Sequence, residues 1–170
     1  MAAEHKSQYI FLVDDEPIQN EMLKDHISER FDYQLKTYEN GEDAIKDMGL
    51  MPAIVVLDFH LNAHLPNAQN GVEVLKKIKE LSPTTEVIML SGQDKLDVAV
   101  DSMKHGAYDY VIKGETAFSR MENLLNNIVE LHSMRATNTT YKKVITFLIV
   151  AMVAVLLISL FLVKKFQLFG

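Results

Sequence analysis

Cysteine is absent from the 170 residues. Its absence excludes disulfides, thiolate nucleophiles and Cys-type zinc sites, and agrees with a reducing compartment. The opening MAAEHKSQY lacks the apolar core of a signal peptide, so the N-terminal part is expected to stay in the cytoplasm. Acidic residues are missing beyond position 141, where Lys142, Lys143, Lys164 and Lys165 are the charged side chains. The part before them therefore holds 13 basic against 23 acidic residues, a formal net charge of −10 within an overall −6. So acidic a domain is a poor match for phosphate backbones, and no nucleic-acid partner is expected. No internal repeat is found. The length suits one ordinary domain with an appendage and leaves no room for a second folded output domain.

What is present first is a regular alternation. Hydrophobic period predicts strands near 8–14, 33–38, 53–58, 85–91 and 107–112, with helices near 17–30, 41–48, 71–81, 94–104 and 115–134. Pro17 stands where a first helical residue is favoured, and Gly106 follows Lys104 and His105 where a helix should stop. Five βα units imply right-handed crossovers and a three-layer α/β sandwich around a doubly wound, five-stranded parallel sheet.

Four of the predicted strands, YIFLV, AIVVL, EVIML and YDYVI, are followed by Asp14 with Asp15, by Asp58, by Ser91 and by Lys113. In a parallel sheet all carboxyl ends share one edge, so these five residues are expected to meet there. Three neighbouring carboxylates repel one another and call for a cation, while a hydroxyl and an ammonium suit a phosphoryl group. The chemistry implied is Mg²⁺-dependent phosphoryl transfer to an aspartate. Each residue also has a plainer reading. Asp14 and Asp15 suit the N-terminus of a helix begun by Pro17, Asp58 suits an Asx turn, and Ser91 suits an N-cap. Lys113 reads equally as an exposed strand-end lysine. Only the five residues taken together point to a site.

The pieces LVDDEP, VVLDF, MLSG and GAYDYVIKG, in that order and spacing, resemble the response regulator receiver domain of two-component signalling, over about residues 7–132. The resemblance implies a flavodoxin-like (βα)5 fold with Asp58 as the phosphoacceptor. It implies that Asp14, Asp15, Asp58 and the backbone carbonyl of His60 hold Mg²⁺. It further implies that the donor is a histidine kinase or histidine phosphotransfer protein, and that Lys113 and Ser91 assist transfer. Ser91 and Tyr110 would form the switch, altering the face of the fourth helix, fifth strand and fifth helix, through which a homodimer is expected. Tyr110 is open to a second reading as a core aromatic. The chain departs from the family pattern in the long loop FHLNAHLPNAQN, which displaces Pro66. Gly114 stands where proline usually follows the lysine, and His60 and Gln93 occupy positions that govern water access. With Gly114, the Lys113–Gly114 peptide bond is expected to be trans or strained. His60 and His64 beside a carboxylate read as polar surface residues rather than transition-metal ligands.

Composition then changes abruptly. Residues 144–163, VITFLIVAMVAVLLISLFLV, carry no charge and only Thr146 and Ser159 as polar side chains. Twenty helical residues reach roughly 30 Å, the thickness of a hydrocarbon core. Lysine pairs flank both ends, as snorkelling requires. The expected organisation is a receiver domain at 7–132, a linker at 133–143 that includes the polar ATNTT, a transmembrane helix at 144–163 and a short tail at 164–170. The receiver is placed on the cytoplasmic side of a single-pass anchor. Two other functions compete with a phosphoacceptor. One is a non-phosphorylated, membrane-anchored interaction module. The other is a magnesium-dependent aspartyl phosphohydrolase, but the haloacid dehalogenase-like pattern of two aspartates one residue apart occurs at neither Asp14–Glu16 nor Asp58–His60. No enzyme activity beyond self-phosphorylation and self-dephosphorylation is expected.

Overall fold

The computed structural model describes residues 9–61, 70–92 and 96–169. Five strands, β1 (Tyr9–Val13), β2 (Gln34–Tyr38), β3 (Ile54–Asp58), β4 (Glu86–Ser91) and β5 (Asp109–Ile112), alternate with α1 (Pro17–Ser28), α2 (Gly41–Lys46), α3 (Gly71–Leu81), α4 (Leu96–Lys104) and α5 (Ala117–Phe169). A short 3-10 turn, Asp47–Leu50, extends α2. The strands form one sheet in the order β2-β1-β3-β4-β5, with every pairing parallel. The fold is the flavodoxin-like α/β fold expected from the alternation of strand and helix. Strand order reverses between β1 and β3, which are hydrogen-bonded neighbours, and this is where doubly wound sheets open a crevice beyond their carboxyl ends.

Alternation along each strand divides the core between two faces. Phe11, Val13, Val55, Leu57, Val87 and Met89 pack with Ala44 of α2 and Val74, Leu75 and Ile78 of α3. The intervening Ile10, Leu12, Ile54, Val56 and Ile88 turn to the opposite face, where Leu23 and Ile27 of α1 and Met121, Leu124 and Leu125 of α5 are buried. Burial on both faces explains why β1, β3 and β4 read as continuous apolar runs, and why edge strand β2, QLKTY, does not. Helix starts are fixed locally. Asn40 accepts a hydrogen bond from the Asp43 N–H at 2.8 Å. Asn70 and Glu73 make a reciprocal capping box at the start of α3.

The chain forms two compact units, Met1–Leu125 and Asn126–Gly170. The helix expected to stop near residue 134 instead continues to Phe169, so the polar stretch 136–140, expected as a linker, is helical. Threonine and asparagine are mediocre helix formers, yet no proline or glycine interrupts the run, and extending an existing helix is cheap compared with nucleating one. Within it, Tyr141–Ser159 has a mean hydropathy of 2.3 and no buried share, so this helix is long and apolar enough to cross a membrane.

Candidate functional site

The site grows from the ends of β1, β3 and β5. Asp14 directly follows Val13, the last residue of β1, and Asp58 is itself the last residue of central strand β3. The carboxylates of Asp14, Asp15 and Asp58 converge, with one ligand oxygen from each lying within 4.8 Å of the others. Asp14 and Asp58 are buried and Asp15 is half-buried. Lys113, just beyond β5, reaches across 99 positions of sequence to place its Nζ 2.7 Å from Asp14 Oδ2 and 3.0 Å from Asp58 Oδ1.

Backbone donors hold the carboxylates in place. The Glu16 N–H donates to Asp14 Oδ1 at 3.0 Å, and the His60 N–H donates to Asp58 Oδ2 at 2.8 Å. The His60 ring meets Phe59 edge-on, with centroids 4.7 Å apart. Burial pushes the Asp58 carboxyl above its usual range, and the Asp14 charge adds to this against the pull of Lys113 and the His60 N–H. Burial alone would lower the Lys113 ammonium; its hydrogen bond to Asp14 and the charges of both aspartates outweigh that and raise it. Three carboxylates against one ammonium leave an excess of negative charge among hard oxygen donors. That donor set fits a divalent cation of the magnesium or calcium type.

Ser91 ends β4, beside β3, and is buried; its carbonyl accepts a 2.7 Å hydrogen bond from the Lys113 N–H. Tyr110 pairs with Met89 across the sheet and is buried in the core cluster that includes Met89 and Ala107, against which Val98 and Ala99 of α4 pack. No peptide bond among the described residues is cis, so Lys113–Gly114 is trans. His64, Pro66 and Gln93 lie outside the described residues.

Two supporting residues escape sequence reasoning. Asn20 is buried in α1, and its Nδ2 donates to the backbone carbonyls of Asp14 at 2.8 Å and Tyr38 at 3.1 Å, tying the ends of β1 and β2 to the helix. The signal for it is a polar residue at the head of the buried stripe Asn20, Leu23, Ile27. Gly71 is the other. A Cβ there would collide with the carbonyl oxygen of Asp58 and come within 2.8 Å of the Phe59 Cα, so α3 starts this close to the end of β3 only with glycine.

A family model for the response regulator receiver domain matches residues 10–128. The chain belongs to that family. As a receiver it is 32% identical over 99 residues to the regulatory protein LuxO of Vibrio cholerae, a match covering 58% of this chain and 20% of LuxO. The chain thus spans about a fifth of that relative's length. It is 28% identical over 120 residues to the chemotaxis protein CheY of Thermotoga maritima, covering 70% of this chain and 95% of CheY. Among solved structures, the BeF3-activated DrrB receiver domain matches with a TM-score of 0.58 and 29% identity, over 70% of this chain and 97% of that one. Membership of the family implies phosphoacceptor signalling rather than classical enzyme turnover.

Proposed function

We propose that this receiver takes a phosphoryl group onto Asp58 from the phosphohistidine of a histidine kinase or phosphotransfer protein, and signals from a membrane surface through its own face. The observation that carries the reading is the meeting of Asp14, Asp15, Asp58 and Lys113 at the β1/β3 switch point. In the transfer an Asp58 oxygen attacks phosphorus, a P–O bond forms, and the N–P bond breaks with its electron pair returning to the donor imidazole. The His60 N–H fixes the rotation of the Asp58 carboxylate, and Lys113 supplies positive charge where the equatorial phosphoryl oxygens arrive. Asp14, Asp15, Asp58 and the His60 carbonyl would hold Mg²⁺, which when bound offsets charge on the transferring group. The Ser91 hydroxyl donates to a phosphoryl oxygen once drawn toward it.

Tyr110 follows into the space that Ser91 vacates, and their joint movement reshapes the face of α4, β5 and α5. Leu96, Val100, Met103 and Ile112 are exposed apolar residues on α4 and β5, suited to a homodimer or a target. Residues 144–163 anchor the chain as a single span with the receiver, residues 7–132, on the cytoplasmic side, segment 133–143 between them and 164–170 beyond. Incubating the chain with Mg²⁺ and acetyl phosphate is expected to add one phosphoryl mass to the intact protein, abolished by EDTA and by Asp58→Asn. Sustained hydrolysis of the donor without a labelled protein would favour a phosphohydrolase, and neither label nor hydrolysis would favour an interaction module.

A further inference from the structure

Only residues 14–16 separate the end of β1 from the start of α1, and two of them, Asp14 and Asp15, are site carboxylates. In so short a link the direction of each carboxylate follows from how the backbone is turned. The carbonyl of Asp14 belongs to the planar peptide unit that joins it to Asp15, so whatever holds that carbonyl sets the turn from which both side chains leave. Asn20, in the first turn of α1, holds it. Its Nδ2 donates to the Asp14 carbonyl at 2.8 Å and to the Tyr38 carbonyl at 3.1 Å, and the Tyr38 carbonyl also accepts from the Asp14 N–H at 3.1 Å. The Glu16 N–H fixes the rotation of the Asp14 carboxylate, while Asn20 fixes the backbone on which it stands. Asn20 is 3% exposed, and its Oδ1 has no hydrogen-bond partner among the described residues. A buried amide with an unmet acceptor is a costly occupant of a stripe that continues with Leu23 and Ile27, and leucine would fill the position without that cost. What the amide contributes instead is the Nδ2 donor.

We infer that Asn20 is a positioning residue for the cation site: its Nδ2 holds the peptide between Asp14 and Asp15 so that both carboxylates converge with Asp58, and divalent cation affinity depends on that hold. The inference rests on the proposed reading of these three aspartates as cation ligands, and it adds a residue that touches neither cation nor phosphoryl group. Without the Nδ2 donor the link is free to turn, and three carboxylates that repel one another spread apart. Cation binding then has to gather them again, which lowers affinity. Once coordination fixes the carboxylates, phosphorylation of Asp58 proceeds as before.

The test measures cation binding in the absence of a phosphodonor. The full chain in nanodiscs of zwitterionic lipid is titrated with Mn²⁺, which suits carboxylate oxygens as Mg²⁺ does, and free Mn²⁺ is followed by electron paramagnetic resonance. Asn20→Leu and Asn20→Ala both remove the donor but differ in volume, so an effect they share belongs to the donor. Each is expected to weaken Mn²⁺ binding about fivefold, in line with the loss of one net hydrogen bond. Leu23→Ala loosens the same stripe of α1 without touching the donor, and is expected to lower Tm while leaving Mn²⁺ affinity unchanged. With acetyl phosphate, the Asn20 variants should need about fivefold more Mg²⁺ for half-maximal labelling yet reach the wild-type maximal rate. Wild-type Mn²⁺ affinity in both Asn20 variants, or an equal loss in Leu23→Ala, would overturn the inference and leave the cation site standing. A wild-type chain that binds no Mn²⁺ saturably would overturn the cation-site reading and the inference together.

Discussion

Asp58 is 3% exposed and stands beside a second buried carboxylate, with one ammonium shared between them. Without a bound cation its negative charge is held at a cost, which is why its carboxyl lies above the usual range. Between the ordinary aspartate value of about 4 and that raised value the folded state binds more protons than the unfolded chain, so stability falls as pH rises through the window. Asp58→Asn keeps an acceptor for the His60 N–H and removes the charge. In EDTA it is expected to be more stable than the wild type at pH 7 by about 1 kcal/mol, a few degrees in Tm. The advantage should shrink toward pH 4. Thermal unfolding across pH checks this, and a mutant less stable than wild type at neutral pH would contradict it. Mg²⁺ should narrow the gap, because a cation bound to the wild type relieves the same charge.

At the scale of elements, the approach of α3 to the end of β3 is set by Gly71. A methyl group there meets backbone atoms of Asp58 and Phe59, which cannot swing away as a side chain can. Gly71→Ala is expected to cost about 1–3 kcal/mol and to slow phosphorylation by displacing Asp58. Gly49→Ala, where a methyl group meets nothing within 4 Å, should change neither. Urea unfolding and initial labelling rates on the two variants separate a local effect from a general one. Strands β1, β3 and β4 were legible because each is buried on both faces and a polar residue stands at or just beyond its end, as Leu57 gives way to Asp58, while edge strand β5 was marked by Lys113 just beyond its apolar YVI. Asn20 was not legible, since its role lies in two carbonyls brought to it by different strands, and no local pattern records them. The stretch 136–140 misled for a different reason. Its polarity resembles a linker, while backbone continuity is decided by the absence of helix breakers and by the helix on either side.

At the scale of the whole molecule, a receiver is followed by a helix apolar along Tyr141–Ser159, with no buried share there. A soluble core helix of that length would be covered by protein. The expectation is that the expressed chain stays in the membrane fraction through sodium carbonate and is released by detergent. Carbonate release would remove the anchor from the account and leave the receiver chemistry untouched. That chemistry depends on the convergence of Asp14, Asp15 and Asp58 around Lys113 at one sheet edge. Its most direct test is to phosphorylate the chain with acetyl phosphate and Mg²⁺, reduce the acyl phosphate with borohydride, and locate the resulting homoserine by peptide mass spectrometry. The account predicts homoserine at position 58 alone. Homoserine at position 14 or 15, or at no position in a protein that has taken up phosphate, would contradict it.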